Sequence, residues 1–162
     1  MTTIKGTQNI VPFLWFDNRA EEAIRFYTGI FPNSKISFMK KWEEGSGFPA
    51  GTIMQAAFTI NGLDVYAFDA GPQFPFTEAV SFYVSCSTQE EIDHYWNSLT
   101  EGGAESRCGW LKDKFGLSWQ IIPSILAERS KNGDPKRMGQ MFQALLKMSK
   151  LNIAELEAAY NQ

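Results

Sequence analysis

A strand, an amphipathic helix and further strands occur in that order twice along this chain. This repetition restricts the available folds more than any other feature. Glu21-Glu22-Ala23-Ile24-Arg25-Phe26-Tyr27 in the first half is loosely echoed by Glu90-Glu91-Ile92-Asp93-His94-Tyr95-Trp96 in the second, at an offset of about 70 residues. The echo is one of pattern more than of identity.

In the first half, Ile10 to Phe16 is apolar and aromatic throughout and reads as a strand buried on both faces. Asp17-Asn18-Arg19 breaks it and offers a cap to the next element. Ala20, Ala23, Ile24, Tyr27 and Phe31 recur at helical spacing until Pro32-Asn33. Strands are expected over Ser34 to Met39, Thr52 to Ile60 and Leu63 to Phe68, with Asn61-Gly62 as a two-residue hairpin turn. The second half opens with a strand over Ala79 to Ser85. Thr88-Gln89-Glu90-Glu91 has the spacing of a capping box, and Ile92, Tyr95, Trp96 and Leu99 mark one face of the helix behind it. Ala104 to Lys112 and Leu117 to Ile122 are expected as strands around a tight turn at Gly116. The tail differs from both halves: a short helical turn from Ser124 to Arg129, a helix begun by Asp134-Pro135, and a last one begun by Asn152. Their apolar stripes must dock on the sheet or on a partner subunit.

Composition removes several function classes. Fifteen basic against eighteen acidic residues leave a net charge of -3, which makes no footprint for nucleic acid or an anionic membrane. No apolar run approaches the roughly 20 residues of a membrane span, and the first eight residues lack the apolar core of a leader. Two cysteines are too few for a disulfide framework, which points to free thiols in a reducing cytoplasm.

Several stretches carry a resemblance across essentially the whole chain. They are Ala20-Glu21-Glu22-Ala23 with Phe26-Tyr27, Phe74 to Val80, Cys108 to Gly116, Trp119-Gln120 and Pro123. Together they resemble the PhnB-like group, also labelled 3-demethylubiquinone-9 3-methyltransferase-like. That group lies within the vicinal oxygen chelate superfamily of glyoxalases, bleomycin-resistance proteins and extradiol dioxygenases. The resemblance implies an α+β fold of two βαβββ-type modules, about 8–70 and 78–123, in a single domain of residues 1–162 with a helical tail over 124–162. It implies a homodimer and a cavity formed by a curled sheet. In metal-using members, His and Glu ligands come from the first strand of each module and from later strands. The matching positions here fall near Pro12, Gln55, Ala79 and Gln120. A neutral amide is a poor ligand for a divalent transition metal, so no metal and no cofactor are expected. Methyl transfer has no support, because no glycine-rich turn joins a strand to a helix: Gly45 and Gly47 precede no helix, and Gly102-Gly103 follows one.

The remaining candidates carry two readings each. His94, the single histidine, is a lone general base or a residue on the outer side of a helix. Cys86 and Cys108 are reactive thiols or inert buried ones. Lys112 and Asp113 serve catalysis, or supply turn chemistry and a surface ion pair. Strand parity says more. Ser81, Tyr83 and Ser85 share one face, and so do Ser118, Gln120 and Ile122. That polar face is a ligand pocket or a partly solvated sheet; with Gln55 it makes the candidate binding set Phe16, Gln55, Phe68, Ser81, Tyr83, Trp110, Ser118 and Gln120. The aromatic members suit a small aromatic or hydrophobic ligand. The expected function is metal-free small-molecule binding with no assigned catalytic residue. The alternative is a metal-dependent lyase or dioxygenase-type enzyme.

Overall fold

A computed structural model describes residues 8–162; the expectation drawn from the start of the chain, that it forms no leader, lies outside them except at Gln8. The chain divides between Pro75 and Phe76 into two compact units. In the first, β1 (Phe13–Phe16) is followed by α1 (Ala20–Ile30), β2 (Lys35–Lys41), β3 (Ile53–Ile60) and β4 (Leu63–Asp69). The sheet order is β1-β4-β3-β2, with β1 parallel to β4 and the other pairs antiparallel. In the second unit, β5 (Ser81–Cys86), α2 (Gln89–Thr100), β6 (Ala104–Glu105), β7 (Trp110–Lys112) and β8 (Ser118–Pro123) repeat that scheme. The order is β5-β8-β7-β6, again with one parallel pair. The architecture is α+β, two βαβββ modules followed by C-terminal helices.

Each helix covers one face of its own sheet. Ala20, Ala23, Ile24 and Tyr27 of α1 are buried, as are Leu14, Phe16, Ala56, Phe58, Val65 and Ala67 from the strands. In the second unit Ile92, Tyr95, Trp96 and Leu99 of α2 are buried, together with Leu111, Trp119 and Ile121. Removing this much apolar surface from water is the main drive for each module. The Asn61-Gly62 turn has positive φ at both residues, 46° and 83°, the geometry that matches strand twist in a two-residue hairpin.

Two buried aspartates do what local sequence could not. The expected cap from Asp17-Asn18-Arg19 does not form: Arg19 occupies the N-cap without a side-chain hydrogen bond. The Ala20 amide instead donates to Asp69 Oδ1 at 2.9 Å, and the Ile53 amide donates to Asp69 Oδ2 at 2.8 Å. Asp113 is not half of a surface ion pair with Lys112. It is buried, and its Oδ1 accepts from the amides of Phe115 (2.8 Å) and Leu117 (3.1 Å) while Oδ2 accepts from the Trp119 indole at 2.8 Å. The capping box of α2 forms at Thr88, whose hydroxyl accepts from the Glu91 amide, but the Glu91 carboxylate reaches one residue further back, to Ser87.

The strand expected over Ala104 to Lys112 is interrupted. Cys108 and Gly109 both take positive φ, 60° and 82°, and turn the chain between β6 and β7. Cys108 is therefore a turn residue rather than a strand residue. The turn is held by the tail: the amides of Cys108 and Gly109 donate to the carbonyls of Met148 and Ser149, each at 2.8 Å. That tail comprises α3 (Ser124–Asn132), α4 (Pro135–Leu145) and α5 (Ile153–Tyr160). Asp134 and Asn152 cap the last two through their side chains. Leu126, Met138, Met141, Leu145, Leu151, Leu156 and Tyr160 form a cluster with Ile122 of β8, so the tail helices dock within their own unit.

Asp113→Ala is expected to cost roughly 3–5 kcal/mol, since three donors, two of them buried, lose their acceptor. Gly109→Ala should cost about 1–3 kcal/mol, because a Cβ there sits 2.8 Å from the Ile121 carbonyl in left-handed backbone. Urea unfolding monitored by tryptophan fluorescence reads both; midpoints equal to wild type would remove these assignments.

Candidate functional site

The face of each sheet turned away from its helix is open. In the first unit that face is aromatic. Register places Phe13 with Tyr66 and Trp15 with Phe68 on it. The rings meet edge to face: Phe13 and Phe68 at 4.9 Å, Trp15 and Phe68 at 4.6 Å, Trp15 and Phe74 at 4.9 Å. The Trp15 indole donates to the Gly71 carbonyl at 2.7 Å, which fixes its plane. Gln55 shares this face, two residues along β3 from Ala57, and is exposed.

In the second unit the open face is polar. One row across the strands runs Ser81, Ser118, Lys112, Ala104; the next runs Tyr83, Gln120, Trp110. Gln120 Nε2 donates to Ser81 Oγ at 2.9 Å. A cavity of about 430 Å³ opens here, lined among others by Glu78, Ser106, Trp110, Lys112 and Ser118. Ser118 is wholly buried, and its hydroxyl is the buried side-chain polar atom left without a hydrogen-bond partner among the described residues. Lys112 Nζ pairs with Glu78 Oε1 at 2.6 Å. Hydrogen bonding to Lys112, and then to its own backbone, holds the Glu78 carboxyl below its ordinary value. The pair is thus complete above the usual carboxylate range and breaks as pH falls through that lowered value. Tyr83 is 53% exposed, but partial desolvation, and then Cys86, still push its phenol up, so it stays neutral at physiological pH.

Of the residues picked from sequence, Ser81, Tyr83, Trp110, Ser118 and Gln120 come together on one face of the second sheet. Gln55 and Phe68 share the open face of the first. Phe16 does not join them. It pairs with Asp69 on the helix-covered face and is buried there. Its neighbours Trp15 and Phe13 take the open positions, and β1 gave no hint because it is apolar at every residue. Glu78 was missed as well; nothing in its local sequence shows that Lys112 will reach it. His94 is exposed on the outer side of α2, away from the sheet. Cys86 is fully buried, and burial pushes its thiol up to about 12.

The positions that the family resemblance matches to metal ligands, near Pro12, Gln55, Ala79 and Gln120, hold no imidazole or carboxylate. Pro12 and Ala79 carry no donor atom; Gln55 and Gln120 offer neutral amides, and Gln120 is bonded to Ser81. Among the described residues no three His, Cys, Asp or Glu side chains group in a way that could hold an ion. No helix among them is long and apolar enough to cross a membrane.

Comparison with known proteins places this geometry. The family model described as 3-demethylubiquinone-9 3-methyltransferase matches residues 8–122. The PhnB protein of Bacillus cereus is similar in structure, with 38% identity and a TM-score of 0.69 over 72% of this chain and 99% of its own. A Pseudomonas aeruginosa protein follows at 23% identity and a TM-score of 0.60, over 72% and 98%. The fosfomycin resistance protein FosX of Listeria monocytogenes, solved with Mn(II) and sulfate, shares the fold at 15% identity and a TM-score of 0.51, over 71% and 90%. No match is found among the curated proteins.

The thiols provide a check on the placements. Native protein treated with iodoacetamide near pH 8 should be alkylated at Cys108 and not at Cys86, because only a thiolate reacts and burial keeps Cys86 protonated. Peptide mapping that finds Cys86 modified first would contradict the packing of β5.

Proposed function

This chain belongs to the 3-demethylubiquinone-9 3-methyltransferase family of PhnB-like proteins, in the vicinal oxygen chelate superfamily, and from that premise we propose that it binds a small molecule without a metal, on the open face of its second sheet. The observation that carries the reading is the buried Ser118 hydroxyl, unpartnered at a cavity of about 430 Å³. A buried hydroxyl left unbonded costs free energy that a ligand atom would recover, and the volume suits a small ligand. Trp110 supplies an apolar wall and Gln120, Ser81 and Tyr83 the orienting polar groups beside it. Phe68 and the exposed amide of Gln55, also in the binding set read from sequence, lie on the open face of the first unit's own sheet.

Methyl transfer gains nothing from the structure. Gly45 and Gly47 lie in the connection between β2 and β3, and Gly102-Gly103 follows α2. No glycine-rich turn there opens a helix, as nucleotide-type cofactor binding requires. FosX of L. monocytogenes is complexed with Mn(II) in its crystal, but at that identity the likeness carries the fold alone. We include a homodimer in the cytoplasm in the proposal. Phe74 and Val80, 64% and 70% exposed, are side chains of the kind a second copy covers, and two unpaired thiols suit a reducing compartment.

Elemental analysis of purified protein should find zinc, iron, manganese and nickel far below one equivalent. A thermal-shift screen of small aromatic compounds should yield binders that raise Tm by about 5–10 °C at a hundredfold excess over Kd. A stoichiometric metal whose removal abolishes binding would replace this reading with the metal-dependent enzyme; no stabilisation by any compound would remove it.

A further inference from the structure

We propose that the cavity of the second unit selects small organic monoanions, with a ligand carboxylate taking Lys112 in exchange for Glu78. The inference deepens the binding reading above and rests on it.

The argument starts from which partner of the ion pair is fixed. Lys112 is a residue of β7, hydrogen-bonded between β6 and β8, so its backbone is set by register with Ala104 and Ser118. Glu78 belongs to no strand or helix; it lies in the connection before β5, and its side chain is 63% exposed against 39% for Lys112. An exposed pair of this kind contributes little, because water solvates both charges well. Releasing Glu78 to solvent therefore costs little, and the ammonium stays where the strand holds it. Of the other carboxylates near the cavity, Glu105 is engaged by the Trp96 indole at 3.0 Å, which leaves Glu78 as the group on Lys112.

The second observation is Ser118. Its Cα lies opposite that of Lys112 across the β7–β8 ladder, and its buried hydroxyl has no partner. A hydroxyl can donate to one oxygen of a carboxylate while an ammonium donates to the other. Glu78 occupies the ammonium without satisfying the hydroxyl. A ligand carboxylate entering the cavity satisfies both, in a setting less wet than the rim, where charge-assisted hydrogen bonds strengthen. Trp110, one row along the same face, offers a flat apolar surface to the rest of such a molecule. An aromatic or short-chain carboxylic acid meets all three conditions.

Benzoate and its neutral isostere benzamide separate charge from shape. Titration of the full chain with each, followed by protein NMR at the Trp110 indole and the Ser118 amide, should show benzoate binding the tighter. Lys112→Met keeps the apolar stem and should weaken benzoate about tenfold or more, with benzamide unchanged. Glu78→Gln removes the competing carboxylate and should tighten benzoate by about threefold. This opposite response from the two ends of one ion pair is not expected of a merely structural bridge. Equal affinity for the two probes, no effect of Lys112→Met, or weaker benzoate binding in Glu78→Gln would overturn the anion inference while leaving small-molecule binding in place. Absence of any perturbation by either probe, in wild type and in Glu78→Gln alike, would overturn the binding reading for this cavity as well.

Discussion

The second unit depends on one buried carboxylate. Asp113 accepts from two backbone amides and the Trp119 indole, and its own backbone closes the turn: its amide donates to the Leu117 carbonyl, and its carbonyl accepts from the Gly116 amide. A charge taken out of water must be met by several donors or it destabilises the fold; here three converge on it. Because these bonds fix where β7 ends and β8 begins, they fix the ladder between them. A slip of one residue would turn Ser118, Gln120 and Trp110 to the opposite face and put Trp119 and Leu111 on the open one. The polar face exists because Asp113 prevents that slip. Asp69 plays a comparable part in the first unit, tying the start of α1 to the start of β3.

The tail adds a second constraint. Ile122 lies on the same face as Ser118 and Gln120, but it packs into the cluster of the C-terminal helices. One end of the face is therefore closed by Met141, Leu151 and their neighbours, and the cavity lies toward Ser118 and Lys112. The same segment holds the turn at Cys108 and Gly109 through two backbone carbonyls. It is tied in turn to α2, where Gln89 accepts from the Ile153 amide and Lys150 pairs with Asp93. The helical tail thus shapes the site without contributing a side chain to the cavity.

Much of this was legible locally, and the exceptions have physical causes. Alternation of serine and tyrosine with phenylalanine and valine revealed the open face of β5, since period two maps directly onto sides of a sheet. The same logic worked for β8. It failed on β1, whose four residues are all apolar, so that Phe16 and Trp15 were indistinguishable. It failed at Cys108, where a positive φ is imposed by carbonyls about forty residues away. It failed at the cap of α1, where Asp17 and Asn18 were the obvious candidates and Asp69, forty-nine residues beyond Ala20, accepts from the Ala20 amide instead.

The sequence by itself determined the class of fold, the two modules and the family. Those follow from local periodicity and from residue identity at fixed spacings, which survive without knowledge of any contact. Tertiary structure alone decided which aromatic residues line the open faces, that Glu78 meets Lys112, and that the Ser118 hydroxyl is left without a partner. These are properties of pairs distant in the chain, set by register and by buried charge, and no window of sequence contains both members.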